Sequence, residues 1–241
     1  MVGTSVRILF IFLIFHMTGC NSEMENQSEE FVDLLTVFDF ENGDQEWEGG
    51  ISDFPVDYEE SADFLFNNSK VPDVLPVDGN GLNISADNLH GDLFYFFKRK
   101  ISELEPNRKY KLDFEFLVYT QLLTKPSTPS SDELYLKIGG VNYEPELKKT
   151  IWRNSMDYFA LDIDKGDTNS ESGNDLVNVG SVKKFTSEVP EIISGNTFDL
   201  TIEVETGNDG FIWLVIGIDS GIKSQLNFGM AAVTVYFREK N

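Results

Sequence analysis

From Lys109 to Phe116 the chain alternates strictly, and Val118 continues the apolar set. Tyr110, Leu112, Phe114, Phe116 and Val118 occupy one set of positions, and Lys109, Lys111, Asp113 and Glu115 the other. A repeat of two is that of an extended strand with one buried face; a helix would scatter these residues around its axis. The segment is entered through Glu105-Pro106-Asn107, where proline presets its own φ and asparagine tolerates the corner. We therefore expect one long strand over 109–119. Phe114 should lie in the core, and Lys111 on the solvent face, tolerant of replacement.

The same reading extends along the chain. Strands are expected at Leu34–Phe40, Asp63–Phe66, Gly81–Ser85, Asp92–Lys100 and Glu133–Gly139, with Val141–Lys148 pairing nearby. Further strands are expected at Tyr158–Asp164, Leu176–Phe185, Thr197–Glu205 and Met230–Arg238. Phe211–Asp219, FIWLVIGID, is apolar on both faces, which marks a central strand covered on both sides. No segment carries a clear 3.6-residue repeat, and turn residues separate nearly all the strands. The expected fold is all-β: a single antiparallel β-sandwich over residues 31–241.

Residues 1–19 and Cys20 read as an address. One arginine, Arg7, precedes an unbroken apolar run, Ile8–Phe15, too short to span a bilayer and suited to a signal-peptide core. Met17-Thr18-Gly19-Cys20 follows, and Cys20 is the only cysteine of the chain, so no internal disulfide forms. This resembles a bacterial lipoprotein signal. The resemblance implies cleavage before Cys20, lipidation of that residue (palmitate among its acyl chains) and attachment to the cell envelope, at the outer membrane of a Gram-negative bacterium. Residues 20–30, beyond the cysteine acidic and without apolar periodicity, then form a tether.

The formal net charge is −22 and the pI about 4.3. Such a surface repels nucleic acid and anionic lipid, so membrane attachment depends on the acyl chains. Beyond the leader there is one histidine, His90, which argues against zinc sites and Ser-His-Asp chemistry.

Three phrases resemble galactose-binding-like jelly rolls and carbohydrate-binding modules: FDFENGD followed by Trp47, GLNIS before an aromatic strand, and W-x-x-IGIDSG from Trp213 before a final strand. The leucine, proline turn and Tyr110 before the long strand resemble extracellular β-sandwich modules. These likenesses imply a jelly roll with a non-catalytic binding function, for glycan. They also imply a structural Ca2+ between first and last strands, with Glu41, Asn42 and Asp44 supplying oxygens; Ala231 stands where the pattern has aspartate. A solvated turn is the alternative there. The loop Asp167, Asn169, Glu171, Gly173, Asp175 sets oxygen donors at alternate positions but lacks the EF-hand glycine and glutamate. Trp47, Trp152, Tyr143 and Tyr58 lie in irregular stretches and are the candidate sugar-stacking rings, with core packing the alternative. Trp213 is expected in the core. A protein-interaction module without a sugar site is the second functional expectation, and a glycoside hydrolase the third.

Cells fed labelled palmitate should label the wild-type chain, and Cys20→Ala should lose the label and run as an unprocessed precursor. Label retained in Cys20→Ala contradicts the lipidation reading.

Overall fold

The computed structural model describes residues 34–124, 134–152, 156–182 and 189–240, the side chains of 59–61, 152, 156 and 182 excepted. The leader, Cys20 and the tether therefore lie outside the described residues. Two antiparallel sheets face each other. The first holds β1 (Leu34–Phe38), β4 (Leu65–Lys70), β5 (Asn80–Asp87), β7 (Lys109–Leu122), β12 (Glu191–Asn196), β13 (Glu203–Glu205) and β15 (Gln225–Glu239). The second holds β2 (Glu48–Ser52), β6 (Leu93–Ile101), β8 (Leu134–Val141), β11 (Leu176–Val182) and β14 (Ile212–Ser220), in the order β11-β8-β14-β6-β2. A small third sheet, β3 (Phe54–Pro55), β10 (Met156–Leu161) and β9 (Leu147–Trp152), lies beside them. The path changes sheet at every step from β5 to β8 and again from β13 to β15, as a jelly roll does.

The alternation in β7 sets the core. Tyr110, Leu112, Phe114, Phe116 and Val118 are all buried between the two main sheets. The Tyr110 hydroxyl accepts the Glu105 amide (3.1 Å) and fixes the turn that launches the strand. β15 pairs with β7 along nearly its whole length. A bulge between Met230 and Ala232 shifts its phase by one residue. Leu226, Phe228 and Met230 before the bulge, and Val233, Val235 and Phe237 after it, consequently all face inward. β14 is buried at all nine positions and lies between β6 and β8, as its two-sided apolarity requires.

Four expectations need correction. The first strand stops at Phe38, because Phe40 takes a left-handed backbone (φ 58°). Residues 141–148 do not form one strand; β8 ends at Val141 and β9 begins at Leu147. Thr197–Glu205 is likewise divided. Thr197 pairs with Phe114 through its amide and its own hydroxyl, and the Leu200 amide turns back onto the Thr197 carbonyl. A side chain competing for the backbone ends the regular ladder there, and only 203–205 resumes it. Finally, Lys111 is not a free solvent lysine. It lies 3.3 Å from the buried Asp113, which also accepts Arg238 Nε at 2.7 Å.

Phe114→Ala should cost about 3–5 kcal/mol in urea melts, as removal of a buried ring does. Lys109→Ala, with an exposed side chain, should stay within about ±0.5 kcal/mol. Equal losses contradict the facing of β7.

Candidate functional site

The outer face of the first sheet is divided by chemistry. One half is ionic: Lys111, Asp113 and Glu115 on β7 stand opposite Arg238, Tyr236 and Thr234 on β15. A narrow apolar ridge follows, where Val71 and Leu75 of the β4–β5 connection pack on Tyr119 and Ala231. Beyond it most outward positions are amides and hydroxyls, with the exposed Leu65 beside Ser85. Asn67 and Ser69 come from β4, Asn83 and Ser85 from β5, Gln225 and Asn227 from β15, and Gln121 from β7. Strand pairing alone aligns them, since outward residues recur every second position and register places Asn67 beside Asn83 and Asn227 beside both Ser85 and Gln121.

Hydrogen bonds fix the middle of this row. Asn83 Oδ1 accepts the Tyr119 hydroxyl (2.7 Å) and Asn227 Nδ2 (3.2 Å). Asn83 Nδ2 donates to Ser69 Oγ (3.0 Å) and the Gly81 carbonyl (3.3 Å). Burial pushes the Tyr119 phenol up to about 12, against the opposing pull of Asn83, so it stays a donor. Its ring lies across Gly229, where a Cβ would come within 2.1 Å of it; the glycine lets the ring lie flush with the sheet. Asn67 Oδ1 is buried without a hydrogen-bond partner among the described residues. The row closes at an acidic end, where Gln225 Nε2 donates to Asp63 (3.3 Å) and Asp87 is held above the usual carboxylate range by burial and then by Asp63.

The residues singled out in the sequence go elsewhere. Trp47 is 1% exposed, edge-on to Phe38 and Phe40, so it cannot serve as an exposed stacking platform. Left-handed residues at Phe40, Gln45 and Glu46 fold the 39–46 turn back and drive that indole inward. Tyr58 is also buried, between Phe54 and His90, and its hydroxyl accepts the Leu89 amide. Tyr143 is exposed and donates to the Asp162 carbonyl (2.7 Å). The Trp152 side chain lies outside the described residues. Trp213 is buried as expected, beneath the Lys98 ammonium.

In the 39–46 turn, Glu41 accepts the Asn80 amide, Asp44 accepts the Glu46 amide, and Asn42 is exposed. The Phe40 and Gly43 carbonyls both receive Asn68 Nδ2. Among the described residues no cluster of three or more His, Cys, Asp or Glu side chains forms a metal site.

The 162–175 loop closes on lysine. Lys137 Nζ, fully buried on β8, donates to the Lys165 (2.6 Å) and Thr168 (3.1 Å) carbonyls and lies 3.5 Å from Asp219. Lys165 Nζ reaches Asp53 (2.7 Å) and Asp219 (3.1 Å). Burial works against the Lys165 ammonium, but the two carboxylates outweigh it and hold its pKa up. Burial also pushes Asp53 up to about 6, against the pull of Lys165.

Sequence reasoning missed the amide row. Its signal is present in the alternate polar positions of LFNNSK, NGLNIS, VYTQL and SQLNFG, but only the pairing register brings those positions together.

No family model matches the chain, and no curated protein matches it. Solved structures do. The chain is similar to TmCBM27, a carbohydrate-binding module described for mannan recognition, at 14% identity and TM-score 0.36, covering 86% of this chain and 98% of that one. It is similar to the CBM22-1 xylan-binding domain of Paenibacillus barcinonensis Xyn10C at 9% identity and TM-score 0.35, covering 85% and 92%. Against the α-L-arabinofuranosidase MgGH51 the identity is 12% and the TM-score 0.37, and the chain spans only 23% of that protein's length. Likeness at this level carries nothing about ligand or activity.

Asp53 gives a pH prediction. Its folded pKa of about 6 lies above the ordinary carboxyl value of 3.8, so between those pH values the folded chain holds a proton that the unfolded chain lacks. That contribution to stability grows as pH falls from about 6 towards 4 and is lost as pH rises through 6. Asp53 has φ 67°, which asparagine tolerates, so Asp53→Asn should fold. The urea midpoint of Asp53→Asn should rise relative to that of the wild type between pH 4.5 and 7. A pH-independent difference contradicts this.

Proposed function

We propose that this chain is a non-catalytic glycan-binding module, held at the cell envelope through lipid on Cys20. The observation that carries the glycan reading is the row of amides and hydroxyls crossing β4, β5, β15 and β7 in a protein of formal net charge −22. A primary amide offers a donor and an acceptor on one plane, matching the mixed donor–acceptor character of sugar hydroxyls. An ionic ligand would call for charged partners, which this row lacks until its acidic end. Three inter-strand steps of about 4.8 Å make the row roughly 14 Å wide, enough for more than one pyranose ring. Tyr119, buried beneath Val71 and Leu75, holds Asn83 in place through its hydroxyl, and the half-buried amides around it are left to meet sugar hydroxyls. In this reading the lipid supplies attachment that the acidic surface does not, and the tether gives the domain reach.

Affinity for a neutral polysaccharide should be weak, micromolar to millimolar, or about 4–8 kcal/mol. Affinity electrophoresis of the purified chain through xylan, galactomannan and mixed-linkage glucan, with alginate as an acidic control, tests this. At least one neutral gel should retard the wild type, and alginate should not. Asn67→Ala should leave stability unchanged, since its acceptor is already unpaired, yet weaken retention by about two- to tenfold, the value of one hydrogen bond. No retardation in any neutral gel, or retention unchanged in Asn67→Ala, contradicts the reading.

A further inference from the structure

A second recess lies on the opposite side of the sandwich. It has a volume of about 420 Å³ and opens beside β2, the last strand of its sheet. Phe64, Phe96, Leu147, Leu161 and Ile51 line it, and Phe64 and Leu147 are among the chain's exposed large apolar residues. The Phe96 ring forms its floor by lying over Gly50, where a Cβ would come within 2.5 Å. Among the described residues β2 pairs with β6 alone, so its other edge has no partner strand. Two consecutive glycines, Gly49 and Gly50, make room for the Phe66 and Phe96 rings, which lie over them. The charge beside this edge is paired at the surface: Lys98 lies 3.4 Å from Glu48 of β2 and 2.8 Å from Glu144.

The rim charge selects the occupant. Glu146 and Lys98 line the recess, and Glu48, Glu144 and Asp162 stand next to its lining residues, answered by Lys98 and Lys148. The recess therefore joins an apolar floor, an open strand edge and an acidic surround. We propose that it is a docking site for an extended segment of a partner protein, apolar at alternate positions and basic between them, which adds to β2 as a further antiparallel or parallel strand. Main-chain hydrogen bonds to β2 would supply affinity, with apolar side chains seated over Phe96 and Phe64 and lysines or arginines facing the glutamate rim. This site is independent of the amide row, which lies on the other sheet.

The test uses two capped peptides, Lys-Val-Lys-Val-Lys-Val and Glu-Val-Glu-Val-Glu-Val, titrated into the 15N-labelled purified chain. The basic peptide should move the backbone amides of Gly49, Gly50 and Ile51. The acidic one should bind at least about tenfold more weakly, because like charges would then meet at the rim. Phe64→Ala should weaken the basic peptide about threefold or more, at the cost of one partly exposed apolar contact. Glu144→Lys combined with Glu146→Lys should narrow or reverse the charge preference, and Asn67→Ala should change nothing. Silence of the β2 amides with both peptides, equal binding of the two, or shifts elsewhere on the surface overturns the proposal.

Discussion

The pleat shared by β7 and β15 is the constraint on which the rest depends. Each residue drawn inward by the core fixes its neighbours outward, and these two strands run side by side through the centre of their sheet. The bulge after Met230 is part of the same constraint. Without a one-residue shift, Met230 and Val233 could not both be buried, and half of β15 would turn its apolar side chains to solvent. The outer face follows from that phase. On one side of the bulge it carries the ionic group around Asp113 and Arg238, and on the other the amides around Asn83 and Asn227.

Much of this was legible in the sequence, because the signals were periodic. Strict alternation identified β7 and the burial of Phe114, and two-sided apolarity identified β14 as central. What escaped was decided by contacts of a different kind. Trp47 and Tyr58 stand in irregular sequence and look like loop aromatics. Three left-handed residues aim the first into the core, and packing against Phe54 and His90 holds the second. Thr197 broke an apparently regular strand by spending its hydroxyl on the Phe114 amide. The amide row was illegible for another reason. Each strand shows its polar positions singly, and only the order β4-β5-β15-β7 makes them one surface.

Part of the acidic character of this chain is answered internally by lysine. The 162–175 loop, whose alternating oxygens suggest a metal loop, turns two of its carbonyls onto the Lys137 ammonium. Lys165 then ties the same loop to Asp53 and Asp219. Two ammoniums and two carboxylates leave this buried group formally neutral, which limits the desolvation penalty that a lone buried charge would carry. Lys137 and Asp219 stand on β8 and β14 of the second sheet, which keeps this group apart from the amide row on the first.

The central claim is that the outward amides of β4, β5, β15 and β7 form the ligand face. The most direct measurement follows their side-chain NH2 resonances, resolved from the backbone, while a neutral oligosaccharide is titrated into the purified chain. The account predicts saturable shifts at Asn67, Asn83, Asn227 and Gln121, with the Tyr119 ring moving in step. Saturable binding that leaves those side chains unmoved and instead perturbs the Tyr143 loop or the outer face of the second sheet would contradict it.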